Sequence, residues 1–210
     1  MIISNRNKFI WFFPIGHTAT TSLFFTLKAL YDDEVVRVGE GDSTINQSWH
    51  GEDAGPVNAK LIVHKHFSPL MLYRLGYDKH KFISYTKIAV ARSPYTWVAS
   101  MMYKNEGITR FSEDTITTYL NSSKWNIHNQ RGKLQMIDKL IKFEDLSTEF
   151  TRTLHELGVD NMKLLYFKRP GVGGPNVKSL DYMQNYTRCG FDLVNRIFKG
   201  DFEYLNYKLV

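Results

Sequence analysis

Cysteine is almost missing from this chain. Cys189 stands alone among 210 residues, which excludes a disulfide framework and a multi-cysteine zinc site. A reduced, partly buried thiol is the plain reading of it. Nor is there an apolar run long enough to cross a bilayer. The opening MIISNRNKF lacks the long apolar core and small-residue cleavage site of a secretory signal. These two absences predict a soluble, cytoplasmic chain. Internal repeats and low-complexity segments are missing too. So is the G-x-x-x-x-G-K-[ST] of a Walker A loop, which a phosphate-binding kinase would carry.

What is present is basic charge and a large apolar fraction. The formal net charge is +6 and the pI about 9.2. That favours an anionic partner: a nucleotide, a sulfated or carboxylated sugar, nucleic acid or a membrane surface; a solvated basic surface with no specific role fits it equally well. No long Lys/Arg block marks the partner as nucleic acid. Hydrophobic residues make up 43% and aromatics 14%, enough to fill the core of one α/β domain spanning residues 1–210.

Strand and helix patterns alternate. Residues 8–13, 34–38, 60–63, 87–91, 140–143 and 163–167 read as strands. Residues 20–30, 69–75, 94–103, a stretch opened by Ser112, and 146–157 read as helices, with Ser68 and Ser112 as N-caps and Gly158 as a stop. Residues 39–58 read as a long loop, and 168–179, KRPGVGGPNVKS, as a second one. Such alternation predicts a mainly parallel sheet with helices on both faces. Ligands of such sheets bind beyond the C-terminal strand ends.

Three stretches carry candidate chemistry. In His17-Thr18-Ala19-Thr20-Thr21-Ser22 a small-residue loop joins a strand to a helix. Its amides, hydroxyls and helix dipole can hold an anion; an ordinary capped helix fits it equally well. In Arg92-Ser93-Pro94-Tyr95, with Ser100 eight residues after the arginine, a strand ends in a guanidinium. Such a group can grip phosphate in bidentate fashion. The plain alternative is a surface arginine and a helix serine. In His64-Lys65-His66-Phe67 two imidazoles share one face of a strand. No third ligand accompanies them, so a general base near neutral pH is a sharper reading than a metal site.

In this order the three stretches resemble the sulfotransferases that use 3′-phosphoadenosine 5′-phosphosulfate (PAPS), most of all the carbohydrate (uronyl/heparan-type) 2-O-sulfotransferase branch. The first loop is similar to the family's Lys-Thr-(Gly/Ala)-(Thr/Ser)-Thr-Ser. The second is similar to its Arg-(Asn/Asp)-Pro-Tyr/Trp with a serine eight positions on. The third is similar to the branch's His-x-His-Phe. HNQ ending at Gln130, IKFEDL ending at Leu146, NVKS ending at Ser179 and DFEYLNY from Asp201 resemble later family segments. The likeness spans roughly residues 8–207.

The resemblance implies a P-loop-like three-layer fold and transfer of a sulfuryl group from PAPS to an acceptor hydroxyl, with a glycan as the favoured acceptor and no metal. It implies that His17, Thr18, Ala19, Thr20, Thr21 and Ser22 cradle the 5′-phosphosulfate. Arg92 and Ser100 would hold the 3′-phosphate, and Lys178 and Ser179 would close over the nucleotide. His66 would take the acceptor proton with His64 beside it. Residues 39–58 and 106–128, for which the family offers no template, are expected apart from the resemblance to line the acceptor cleft. His17 departs from the family, whose loop carries a lysine there. Either its imidazolium donates to the leaving oxygen or the chain is a non-catalytic binding domain of the same fold. Lys65 would be a substitute donor if it reached the site, although strand alternation points it away from His64 and His66. Trp97 stands where many relatives have a second basic residue; it either packs the helix or stacks on the adenine. A P-loop kinase-like phosphotransferase is the remaining alternative, and the missing Walker lysine counts against it.

Overall fold

The computed structural model describes residues 2–5, 8–13, 15–19, 23, 26, 68–74, 79–122, 129–159 and 182–210. The expected strands at 34–38, 60–63 and 163–167 and both long loops fall outside these. The contacts divide the chain into two compact units. One comprises Met1–Ala91 and Lys133–Phe167, the other Arg92–Gly132 and Lys168–Val210.

The first unit is built on a sheet in the order β1-β2-β3-β4. β1 (Ile2–Asn5) runs antiparallel to β2 (Lys8–Phe13). β2 is parallel to β3 (Thr86–Ala91), and β3 to β4 (Lys139–Lys142). The three consecutive parallel strands, with helices between and after them, make this an α/β unit. Two short helices, α1 (Pro69–Arg74) and α2 (Lys79–Ser84), precede β3. Every residue of β3 after Thr86 is buried, as expected of a strand covered on both faces.

Alternation places Ile10 and Phe12 of β2, Ile88 and Val90 of β3 and Ile141 of β4 in one cluster. Against them lie Leu146, Phe150 and Leu154, four residues apart on α6 (Leu146–Glu156). Phe150 sits 6.1 Å from Phe12, centroid to centroid. Gly158 stops the helix in the left-handed region, φ 76°. Its N–H donates to the His155 carbonyl at 2.9 Å, and the Val159 N–H to the Leu154 carbonyl at 2.9 Å. That pair of bonds is a Schellman closure, and the burial of Val159 with Leu154 supplies its apolar contact.

Among the described side chains of this sheet, Lys87 is a buried charge. Lys87, with its side chain 6% exposed, places Nζ 2.8 Å from Asp138 Oδ2 and donates to the Tyr85 carbonyl at 2.7 Å. The same carboxylate oxygen accepts the Lys87 backbone N–H at 2.7 Å. Replacing Asp138 with Ala removes a charge-assisted partner from a buried ammonium. The expected loss is about 1.5–3 kcal/mol in chemical denaturation. Adding Lys87→Met should restore much of it, because an apolar chain of similar volume carries no desolvation cost.

The second unit is helical. α3 (Pro94–Glu106) begins on a proline, which suits the first helical position. It runs past residue 103, where the apolar pattern fades, because its stop is Gly107 at φ 69°. α4 (Glu113–Asn121) opens with the expected Ser112 cap, in a reciprocal box with Thr115. A short α5 (Gln130–Lys133) follows, its last residue falling in the first unit, and then α7 (Arg188–Ile197) and α8 (Lys199–Leu205). Cys189, on α7, is exposed and not partly buried as expected. Tyr95 joins these helices. Its ring lies 5.2 Å from Phe191 and 4.8 Å from Phe202. Its hydroxyl bonds to Asn195 and accepts the Val210 N–H at 2.9 Å. Desolvation raises its pKa above the ordinary phenol value, opposed by those two bonds.

Residue 190 must be glycine for steric reasons. A Cβ there would stand 2.2 Å from the Phe111 carbonyl oxygen, which accepts the Thr187 N–H at 3.1 Å. Gly190→Ala should therefore destabilise by about 1–3 kcal/mol, the usual cost of overpacking, read as a lower urea midpoint.

Candidate functional site

Two groups of candidate residues are described, one in each unit. The turn after β2 belongs to the first. The Thr18 N–H and hydroxyl both reach back to the Ile15 carbonyl, at 3.3 Å and 2.7 Å, and Thr18 is buried. Its hydroxyl proton thus closes the turn. His17 and Ala19 flank it at φ 65° and 60°, a region that non-glycine residues enter at a cost of order 1–2 kcal/mol. The Leu23 N–H donates to the Ala19 carbonyl at 3.0 Å, the spacing of a first α-helical turn. Strand, turn and helix onset thus follow in the expected sequence. Thr20, Thr21 and Ser22 lie outside the described residues, as do His64, Lys65, His66, Lys178 and Ser179.

The second group surrounds Arg92, which is only 8% exposed. Its Nε donates to Thr96 Oγ1 at 3.0 Å. Its guanidinium carbon lies 5.7 Å from the centroid of the Tyr182 ring, within cation–π range. Thr96, Ser100 and Lys104 recur at four-residue intervals on α3 and so share a face. Ser100 is buried. Lys104 is exposed; partial desolvation along its side chain and then the Arg92 charge lower its pKa. A buried guanidinium with a hydroxyl and a second cation on one helix face is an arrangement that can take an anion.

Trp97, three residues before Ser100 and seven before Lys104, lies beside that face by helical spacing. It is buried, edge-on to Phe198 at 6.0 Å, so the packing alternative describes its place.

The main chain of Arg92 is held as well. Gln130, fully buried, accepts the Arg92 N–H through Oε1 at 3.0 Å. Through Nε2 it donates to the Arg92 carbonyl at 2.7 Å. Its own N–H donates to Asp201 Oδ2 at 2.8 Å, and the Arg131 N–H to Asp201 Oδ1 at 2.9 Å. Burial pushes the Asp201 carboxyl up, while the Arg131 and Gln130 N–H groups and the Arg131 charge pull it down. Gln130 and Asp201 fall in segments noted only for their family likeness, with no role attached to either residue. Thr96 and Lys104 had a readable signal in their spacing from Ser100. Tyr182 and the Gln130–Asp201 link had none.

Among the described residues, no group of three or more His, Cys, Asp or Glu is placed to hold a metal. No helix among them is long and apolar enough to cross a membrane. No family model, curated protein or solved structure matches the chain.

Proposed function

We propose that this chain is a PAPS-dependent sulfotransferase of P-loop-like, three-layer fold, acting on an acceptor hydroxyl, with a glycan as the favoured acceptor. The observation that supports it best is the Arg92 group. A buried arginine immediately after a parallel strand, with a buried serine eight residues on, suits the 3′-phosphate that separates PAPS from ATP. In this reading the turn from His17 to Ser22 receives the 5′-phosphosulfate, and Lys178 and Ser179 close over the nucleotide. The acceptor oxygen forms a bond to sulfur as the bond from sulfur to the phosphate oxygen breaks. His66, supported by His64, takes the acceptor proton, and His17 donates to the departing phosphate oxygen. The work of the protein is alignment and charge stabilisation, as in phosphoryl transfer.

Thermal-shift titration with adenosine 3′,5′-bisphosphate against ATP tests the nucleotide, and sulfuryl transfer to a panel of oligosaccharides tests the chemistry. The expected results are selective stabilisation by the bisphosphate and a sulfated product. Equal or greater stabilisation by ATP would reject the reading in favour of a phosphotransferase. Selective bisphosphate binding with no transfer to any hydroxyl acceptor, small alcohols and tyrosine included, would make the chain a binding domain, the role that His17 in the family lysine's place would suit.

A further inference from the structure

Arginine side chains have many rotamers, and a free one loses considerable entropy when it is fixed on a ligand. Arg92 is constrained at several points before any ligand arrives. Thr96 holds Nε, and Tyr182 lies beside the guanidinium. Gln130 pairs with both backbone polar groups of the residue. The Gln130 amide is a two-point clamp, because one side chain serves as acceptor and donor to the same residue. The main chain that carries this amide is held in turn by Asp201, which accepts the two successive backbone N–H groups of Gln130 and Arg131. Gln130 and Asp201 are both almost inaccessible to solvent, so water cannot readily replace these bonds.

We infer that Gln130 and Asp201 are positioning residues that set the Arg92 guanidinium in place for an anionic group, without touching that group themselves. Residues 92, 130 and 201 are 38 and 71 positions apart in sequence, yet five hydrogen bonds of 2.7–3.0 Å join them with Arg131 and Thr96 into one continuous chain. The identity of the anion as a nucleotide 3′-phosphate rests on the function proposed above; the positioning itself does not.

The experiment separates the two. Gln130→Met keeps the length of the side chain and removes both bonds to Arg92. Asp201→Asn, the gentler change, leaves the Gln130 side chain in place and loses one acceptor. Each variant is checked for cooperative folding, and hydrogen exchange of the Arg92 Nε–H is followed by NMR. Its bond to Thr96 should make exchange slow in the parent. It should be about tenfold faster or more in Gln130→Met, the scale of one lost hydrogen bond, with Asp201→Asn intermediate. If exchange is unchanged in both folded variants, the positioning role is wrong, whatever the ligand. Should Gln130→Met prove unfolded, Asp201→Asn alone decides in the same way.

Affinity for adenosine 3′,5′-bisphosphate and for adenosine 5′-monophosphate is measured in parallel. The expected result is about tenfold weaker bisphosphate binding in Gln130→Met, with the monophosphate little changed. Faster exchange in the variants, combined with no preference for the bisphosphate in the parent, would uphold the clamp and refute the nucleotide assignment.

Discussion

Arg92→Ala should lower affinity for adenosine 3′,5′-bisphosphate on the order of 100-fold while leaving adenosine 5′-monophosphate nearly untouched. The magnitude follows from removing one partner of a desolvated, charge-assisted contact, typically about 2–5 kcal/mol, with each 1.4 kcal/mol a factor of ten. The contrast between the two nucleotides is the informative part. Arg92 is nearly buried and tethered at Nε, so its truncation also has a structural effect. That effect would weaken both nucleotides together, whereas loss of a contact to the 3′-phosphate weakens only the bisphosphate. Arg92→Lys keeps the charge and loses the planar fork, and should fall between parent and alanine variant. Isothermal titration at fixed low salt is the measurement. An unchanged ratio of the two affinities in Arg92→Ala would remove this residue from nucleotide recognition, and with it the main support for the sulfotransferase reading.

Phe150→Ala should cost about 3–5 kcal/mol of stability, the range for truncating a buried aromatic. Phe150 is fully buried, faces Phe12 and sits midway along the face that α6 presents to the sheet. Domains of this size have roughly 5–15 kcal/mol in total, so one substitution would take a large share. Phe150→Leu keeps most of the volume and should cost less, about 1.5 kcal/mol. Arg152→Ala, on the exposed side of the same helix with only surface ion pairs, should stay within about 0.5 kcal/mol. Urea midpoints for the three rank the effects. A Phe150→Ala midpoint close to that of Arg152→Ala would show that α6 does not seal this core.

These two predictions draw on features that differ in how far they could be read from sequence. β2, β3 and α3 were legible because their signals are local. Apolar residues end at a polar or proline boundary, and the proline at 94 sits where a helix accepts one. α3 gained three residues over the expectation because Lys104, Asn105 and Glu106 carry no apolar signal, while the actual stop is the backbone geometry of Gly107. β4 ends at Lys142, and Phe143 enters a short 3₁₀ turn instead. β1 and α2 carry no such signal: four residues and six residues are too few to show a period. Arg92 and Ser100 could be singled out by type and spacing. The amide that holds Arg92 could not, because its distance along the chain exceeds any periodicity and only folding brings it near.

His17 and Ala19 bear on how the turn after β2 is to be probed. Both have positive φ, so alanine at position 17 would delete the imidazole and keep the unfavourable torsion. Glycine would delete the ring and relax the torsion as well. Neither replacement alone isolates proton donation from backbone shape. Comparing the two does: a loss of turnover common to both belongs to the ring, and any difference between them measures what the bent main chain contributes.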